Sequence, residues 1–184
     1  MALLLTIGAA CTGEIGASVT QEKSPNATSA VGPLHADIED EAIYQVRGAV
    51  DKECRVTFGD SISNPSDQSV TITGAQFGNV KGVEVVGIVK LPEGSLGVGN
   101  PPGFPPKKPK ALRKVWPQVE ELVGSSLRPG EATWMAFGIQ LEPGIPEGTV
   151  SALSIDYEAG GVRYRATDQD TFTAVDYPRA TCPA

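Results

Sequence analysis

The sequence is poor in the residues that carry most protein chemistry. Its single histidine, His35, leaves no second imidazole for a metal cage, and no His stands beside Ser61, Ser63 or Ser66 to activate a serine. GxSxG, SxxK, CxxC, HExxH and glycine-rich phosphate loops are all missing, so no catalytic residue and no cofactor is indicated. With 2 methionines, of which only Met135 falls in the main domain, the His, Met and Cys set of a copper carrier cannot be assembled. The 15 basic residues are outnumbered by 22 acidic ones, and the net charge of −7 opposes nucleic acid as a partner of the whole surface. The longest N-terminal apolar run is residues 1–10, too short to cross a bilayer.

What is present reads as one turn-rich globular domain with an appendage. Hydrophobic residues make up 40% of the 184 positions, enough for a core, while Gly 21 and Pro 15 exceed ordinary usage. From residue 43 onward, short apolar alternations are separated by Gly, Pro, Asn and Asp. Strands are predicted over 43–50, 54–58, 69–73, 83–91, 133–141, 149–157, 162–167 and 171–175. The Asn64-Pro-Ser-Asp67 turn should join the second and third as a hairpin. The more continuous apolar run at 83–91 suits a central strand covered on both faces. The only helix expected is 117–123, led by Pro117. About 7–8 short strands in one domain indicate an all-β, immunoglobulin-like antiparallel sandwich with one long Pro-rich insertion.

The apolar run stops at Cys11, and a small-residue stretch ending at Cys resembles the lipobox of a bacterial lipoprotein signal peptide. Two features depart from that pattern: no Lys or Arg precedes the run, and Gly8 stands three before the Cys, where Leu is usual. The resemblance implies removal of 1–10 and lipidation of Cys11, with an ordinary secretory signal as the alternative. Residues 11–40 have the small, polar, acidic composition of a tether, spanning about 30 Å as a flexible coil. His35 falls inside it, exposed and chemically idle. With Cys11 set aside, Cys54 and Cys182 remain as an even pair suited to an oxidising compartment, and a disulfide between them would close nearly the whole domain.

The most unusual segment is 92–114. It places Lys107, Lys108, Lys110, Arg113 and Lys114 in a stretch without any acid between Glu93 and Glu120. Its prolines favour polyproline II, which projects these charges toward an anionic lipid surface, a wall polymer or an aromatic groove on an envelope protein. A solvated loop without a partner is the plain alternative. Asp168 and Asp170, with Asp60 and Asp176 nearby, are weak candidates for a Ca²⁺ or hydrolytic carboxylate site, but the Gly and further Glu of an EF-hand are missing. Trp116 and Trp134 suit a core better than a ligand platform.

The order Cys54, SISNPSDQSVTITG, LRPGEATWMAFGIQL, YEAGGVRYRAT and Cys182 resembles the immunoglobulin-like domain of bacterial cell-envelope lipoproteins over residues 43–184. That resemblance implies an extracytoplasmic, membrane-anchored, non-catalytic binding module. A structural spacer docking through the basic loop is the alternative.

Overall fold

Ten strands pair into two five-stranded sheets in a computed structural model that describes residues 32–36, 43–176 and 182. They are β1 (His35–Ala36), β2 (Gln45–Ala49), β3 (Arg55–Ser63), β4 (Val70–Lys81), β5 (Val83–Lys90), β6 (Glu120–Glu121), β7 (Ser126–Leu127), β8 (Ala132–Leu141), β9 (Glu147–Ala159) and β10 (Val162–Val175). One sheet runs β1-β3-β8-β5-β6, the other β2-β10-β9-β4-β7, and every pairing is antiparallel except β2 with β10. Four strands of the first sheet, β1-β3-β8-β5, follow the A-B-E-D order of an immunoglobulin domain. The second sheet's β2-β10-β9-β4 follows A′-G-F-C. The fold is therefore an immunoglobulin-like β-sandwich, with a long insertion between its D and E strands.

Alternation builds the core. On β8, Thr133, Met135, Phe137, Ile139 and Leu141 all point between the sheets and are buried. Phe137 meets Phe58, Phe77 and Phe172 at ring-centroid distances of 5.8, 5.0 and 4.7 Å, joining β8 to β3, β4 and β10. Phe77 and Ile88 touch both halves of the inter-sheet core. On β9 the alternation skips a beat at Ala152, whose φ is 56°, so that Val150 and Leu153 both face inward. Gly82 alone links β4 in one sheet to β5 in the other, and its φ of 67° is the backbone sign that side chains resist.

Several expectations change. Residues 54–73 do not form a hairpin, because β3 and β4 lie in different sheets and the turn arches over the core. Asn64, fully buried, holds the arch: its Nδ2 donates to the carbonyls of Gln68, Leu127 and Arg128 at 2.7, 3.1 and 3.1 Å, and its Oδ1 accepts from the Ser66 hydroxyl at 2.7 Å. The helix is α1 (Lys110–Val115), followed by a 3₁₀ turn over Trp116–Gln118. Pro117 ends the α-helix rather than starting one, since its ring forbids the next turn. Residues 120–121 and 126–127, placed in or after the predicted helix, are the short strands β6 and β7. The strand at 83–91 is covered on both faces but is not central, with only the two-residue β6 beyond it. The runs 162–167 and 171–175 are one strand, bulged between Asp168 and Thr171.

The expected tether gives part of itself to the sandwich. Leu34 is buried and its N–H donates to the Tyr157 hydroxyl at 3.2 Å, while His35 and Ala36 pair with Ser63 and Ile62. His35 is exposed, as its neighbourhood suggested. Cys54 and Cys182 form a disulfide across 128 residues, with Cα atoms 5.5 Å apart, tying the start of β3 to the C-terminal tail. Cys11 and residues 1–10 lie outside the described residues.

Candidate functional site

The insertion does not project into solvent. It folds back across the outer face of the first sheet and gives the molecule a third layer. Leu91 and Val98 are buried against that face, and Phe104, Leu112, Val115 and Trp116 pack with Trp134 and Ala136 of β8. Glycines in the strands make room. Gly59 of β3 lies under Val98, and Gly138 of β8 lies so close under the Phe104 ring that a Cβ there would overlap it. At Gly87 of β5 a Cβ would come within 3.0 Å of that ring. Phe104 in turn meets Trp116 edge to face at 5.4 Å. Residues 101–103 also borrow the free edge of β3: Thr57 N–H donates to the Pro101 carbonyl at 2.9 Å, Gly103 N–H to the Arg55 carbonyl at 2.8 Å, and the Thr57 hydroxyl to the Gly103 carbonyl. Thr57 is consequently buried.

This underside fixes the basic residues on the outside. Along α1 only Leu112 is buried, and Lys110, Arg113 and Lys114 occupy the exposed face at spacings of three and four. Lys107 and Lys108 precede them, equally exposed. Among the described residues Lys107 is the one of these five in an ion pair, with Glu53 at 3.5 Å. The predicted cationic cluster is thus carried on a layer packed against the sheet rather than on a projecting loop.

A second polar site lies where the insertion returns to the sheet, and sequence reasoning missed it. Lys90 of β5 is nearly buried, and its ammonium spends all three donors: on the Ser126 carbonyl at 2.6 Å, Glu131 at 3.1 Å and Glu120 at 3.2 Å. Glu131 also accepts from the Arg128 N–H at 2.9 Å, inside the Leu127-Arg-Pro-Gly-Glu131 turn, and Arg128 reaches across to Glu93. Burial alone would raise the Glu131 carboxyl; the hydrogen bonds from Arg128 and Lys90 outweigh it and hold the group below its usual range. These side chains line a cavity of about 300 Å³ together with Leu91, Pro92, Gln118 and Ser126. The only sequence signal was a lone Lys ending an apolar strand.

The acidic candidates are brought together in part. Asp60 of β3 faces Asp168 of β10 within hydrogen-bonding reach, and Asp170 adds its charge. Burial first, then the Asp168 charge, pushes Asp60 up to about 8. Asp176 takes no part in this group, and among the described residues no set of three acids, His or Cys is arranged to hold a metal. Trp116 and Trp134 are half-buried in the layer beneath the insertion.

No family model matches the chain, and no curated protein is similar to it in sequence. Among solved structures it is similar to the VesB protease of Vibrio cholerae, at 12% identity and a TM-score of 0.40 over 79% of this chain and 33% of that one. It is also similar to a PapD-like domain of human CEP192, at 7% identity and a TM-score of 0.38 over 91% of this chain and 100% of that one. A family 123 glycoside hydrolase from Clostridium perfringens matches at 12% identity and a TM-score of 0.38, over 79% of this chain and 28% of that one. The chain thus spans about a third of the protease's length. Likenesses this distant transfer no activity, and the sandwich rests on its own strand pairing.

Proposed function

We propose that the protein is a non-catalytic interaction module of the bacterial envelope, held at the membrane through its N-terminal region and docking on anionic lipid through the basic surface of 107–114. The carrying observation is the packed underside of that surface: Phe104, Leu112 and Trp116 anchor it to the sheet while Lys108, Lys110, Arg113 and Lys114 stay exposed. A charge cluster already fixed in place loses little freedom on docking, so its Coulomb attraction is less offset by ordering. Each cation near an anionic leaflet contributes about 1 kcal/mol, so the cluster supplies several kcal/mol, enough to set orientation against the acidic remainder. The Cys54–Cys182 disulfide supports an oxidising, extracytoplasmic location.

Cosedimentation with vesicles containing anionic lipid at low salt tests this reading. The protein should pellet with anionic but not zwitterionic vesicles. A variant with all five basic residues changed to Gln should stay in the supernatant, its binding reduced by roughly a hundredfold or more. Equal pelleting of the two proteins, or binding to an anionic wall polymer alone, would overturn it.

A further inference from the structure

The pair Asp60 and Asp168 has no role in docking, and its placement is costly. Asp168 is 4% exposed, and its Oδ2, like that of Asp60, is sealed from solvent with no hydrogen-bond partner if both carboxyls are ionised. The two residues come from different sheets, β3 and β10. Their remaining oxygens are engaged locally: Ser61 N–H donates to Asp60 Oδ1 at 2.7 Å, and Asp170 N–H to Asp168 Oδ1 at 2.8 Å. No Lys, Arg or His among the described residues forms an ion pair with either. β8 presents Met135 opposite Asp60, β10 adds only Asp170, and His35 on β1 is exposed beside Ser63. Two sealed, facing carboxyl oxygens without a cation are compatible in one way, when a proton lies between them.

We propose that Asp60 donates a hydrogen bond to Asp168 through one retained proton, and that this proton latches the two sheets together at the flank where β1 and β2 begin. The neighbourhood ties the latch to β2. Asp170, next to the bulge that starts at Asp168, accepts the Tyr44 N–H at 2.7 Å, and Thr171 N–H donates to the Tyr44 carbonyl at 2.9 Å, one residue before β2 starts. Loss of the proton puts two like charges in a dry gap between sheets and loosens the segment that leads to the N-terminal region. The direction follows from linkage. Asp60 ionises near 3.8 in the unfolded chain and near 8 when folded, so the unfolded state releases the proton first. Stability from this group is full below about 4 and is lost as pH rises, up to tenfold in the folding constant per pH unit, until about pH 8.

Hydrogen exchange over β2, corrected for intrinsic rates between pH 6 and 9, tests the latch in the wild-type protein. Exchange should rise by tenfold or more, up to about a hundredfold, across this range, nearly all of it below pH 8, while the β8 core stays protected. Asp60→Asn keeps a donor toward Asp168 that does not titrate, so its β2 exchange and its urea midpoint should be flat across the same range. A wild type without the rise, or an Asp60→Asn variant with the same rise, overturns the proposal. So does millimolar calcium chloride raising the wild-type melting temperature but not that of Asp60→Asn, which assigns the pair to a cation instead.

Discussion

Individual residues carry more of this fold than their types suggest. Asn64 satisfies three carbonyls and one hydroxyl at the arch between sheets. Asn64→Leu removes two N–H donors and an acceptor from a closed space, leaving the Gln68 and Arg128 carbonyls only the Ser66 hydroxyl and the Glu131 N–H, and should cost about 2 kcal/mol in urea unfolding, well beyond an ordinary loop substitution. Lys90→Met should cost about 2 kcal/mol at pH 7, because the buried Glu131 carboxylate then has only Arg128 to face it. The sign with pH is fixed by Glu131, whose carboxyl is held below its usual 4.5 by Lys90 and Arg128. Its contribution is present above about 4.5 and is lost as pH falls, so the gap between wild type and Lys90→Met should narrow toward pH 3. A gap independent of pH would show that the Lys90 contacts do not depend on the ionised carboxylate.

At the scale of elements, the insertion turns a two-layer sandwich into a three-layer one. Gly138→Ala places a methyl where the Phe104 ring sits and should lower stability by about 2 kcal/mol while leaving the inter-sheet core unchanged. Near-ultraviolet circular dichroism, sensitive to Trp116 and Trp134, should report the displaced layer. The strands were legible in the sequence because their alternation is local: Thr133 to Leu141 reads as one inward face and is one. Which sheet a strand joins was not legible, since the Asn64-Pro-Ser-Asp67 turn is chemically the same in a hairpin and in an arch. The insertion's packing was hidden by its prolines and glycines, which mark a loop whether or not it lies on a surface. The overlooked signal was the pairing of Gly59, Gly87 and Gly138 inside strands with Val98 and Phe104 in a loop.

For the whole molecule, the disulfide and the charge distribution set behaviour together. Reducing Cys54–Cys182 frees the C-terminal tail and should lower stability by about 2–5 kcal/mol, with the fold retained in mild conditions because the inter-sheet core does not depend on it. The site's residues were legible as a cluster of cations, but its packed underside was not, because that comes from Leu112 and Trp116 packing on strands distant in sequence. A protein of net charge −7 bearing one fixed basic face is electrically polarised, so its binding should weaken steeply as salt shortens the screening length. The most direct test is hydrogen exchange of the wild-type protein on vesicles containing anionic lipid. New protection is expected only in peptides covering 104–118. Protection over another face, or none while the protein is bound, would contradict docking through the basic face.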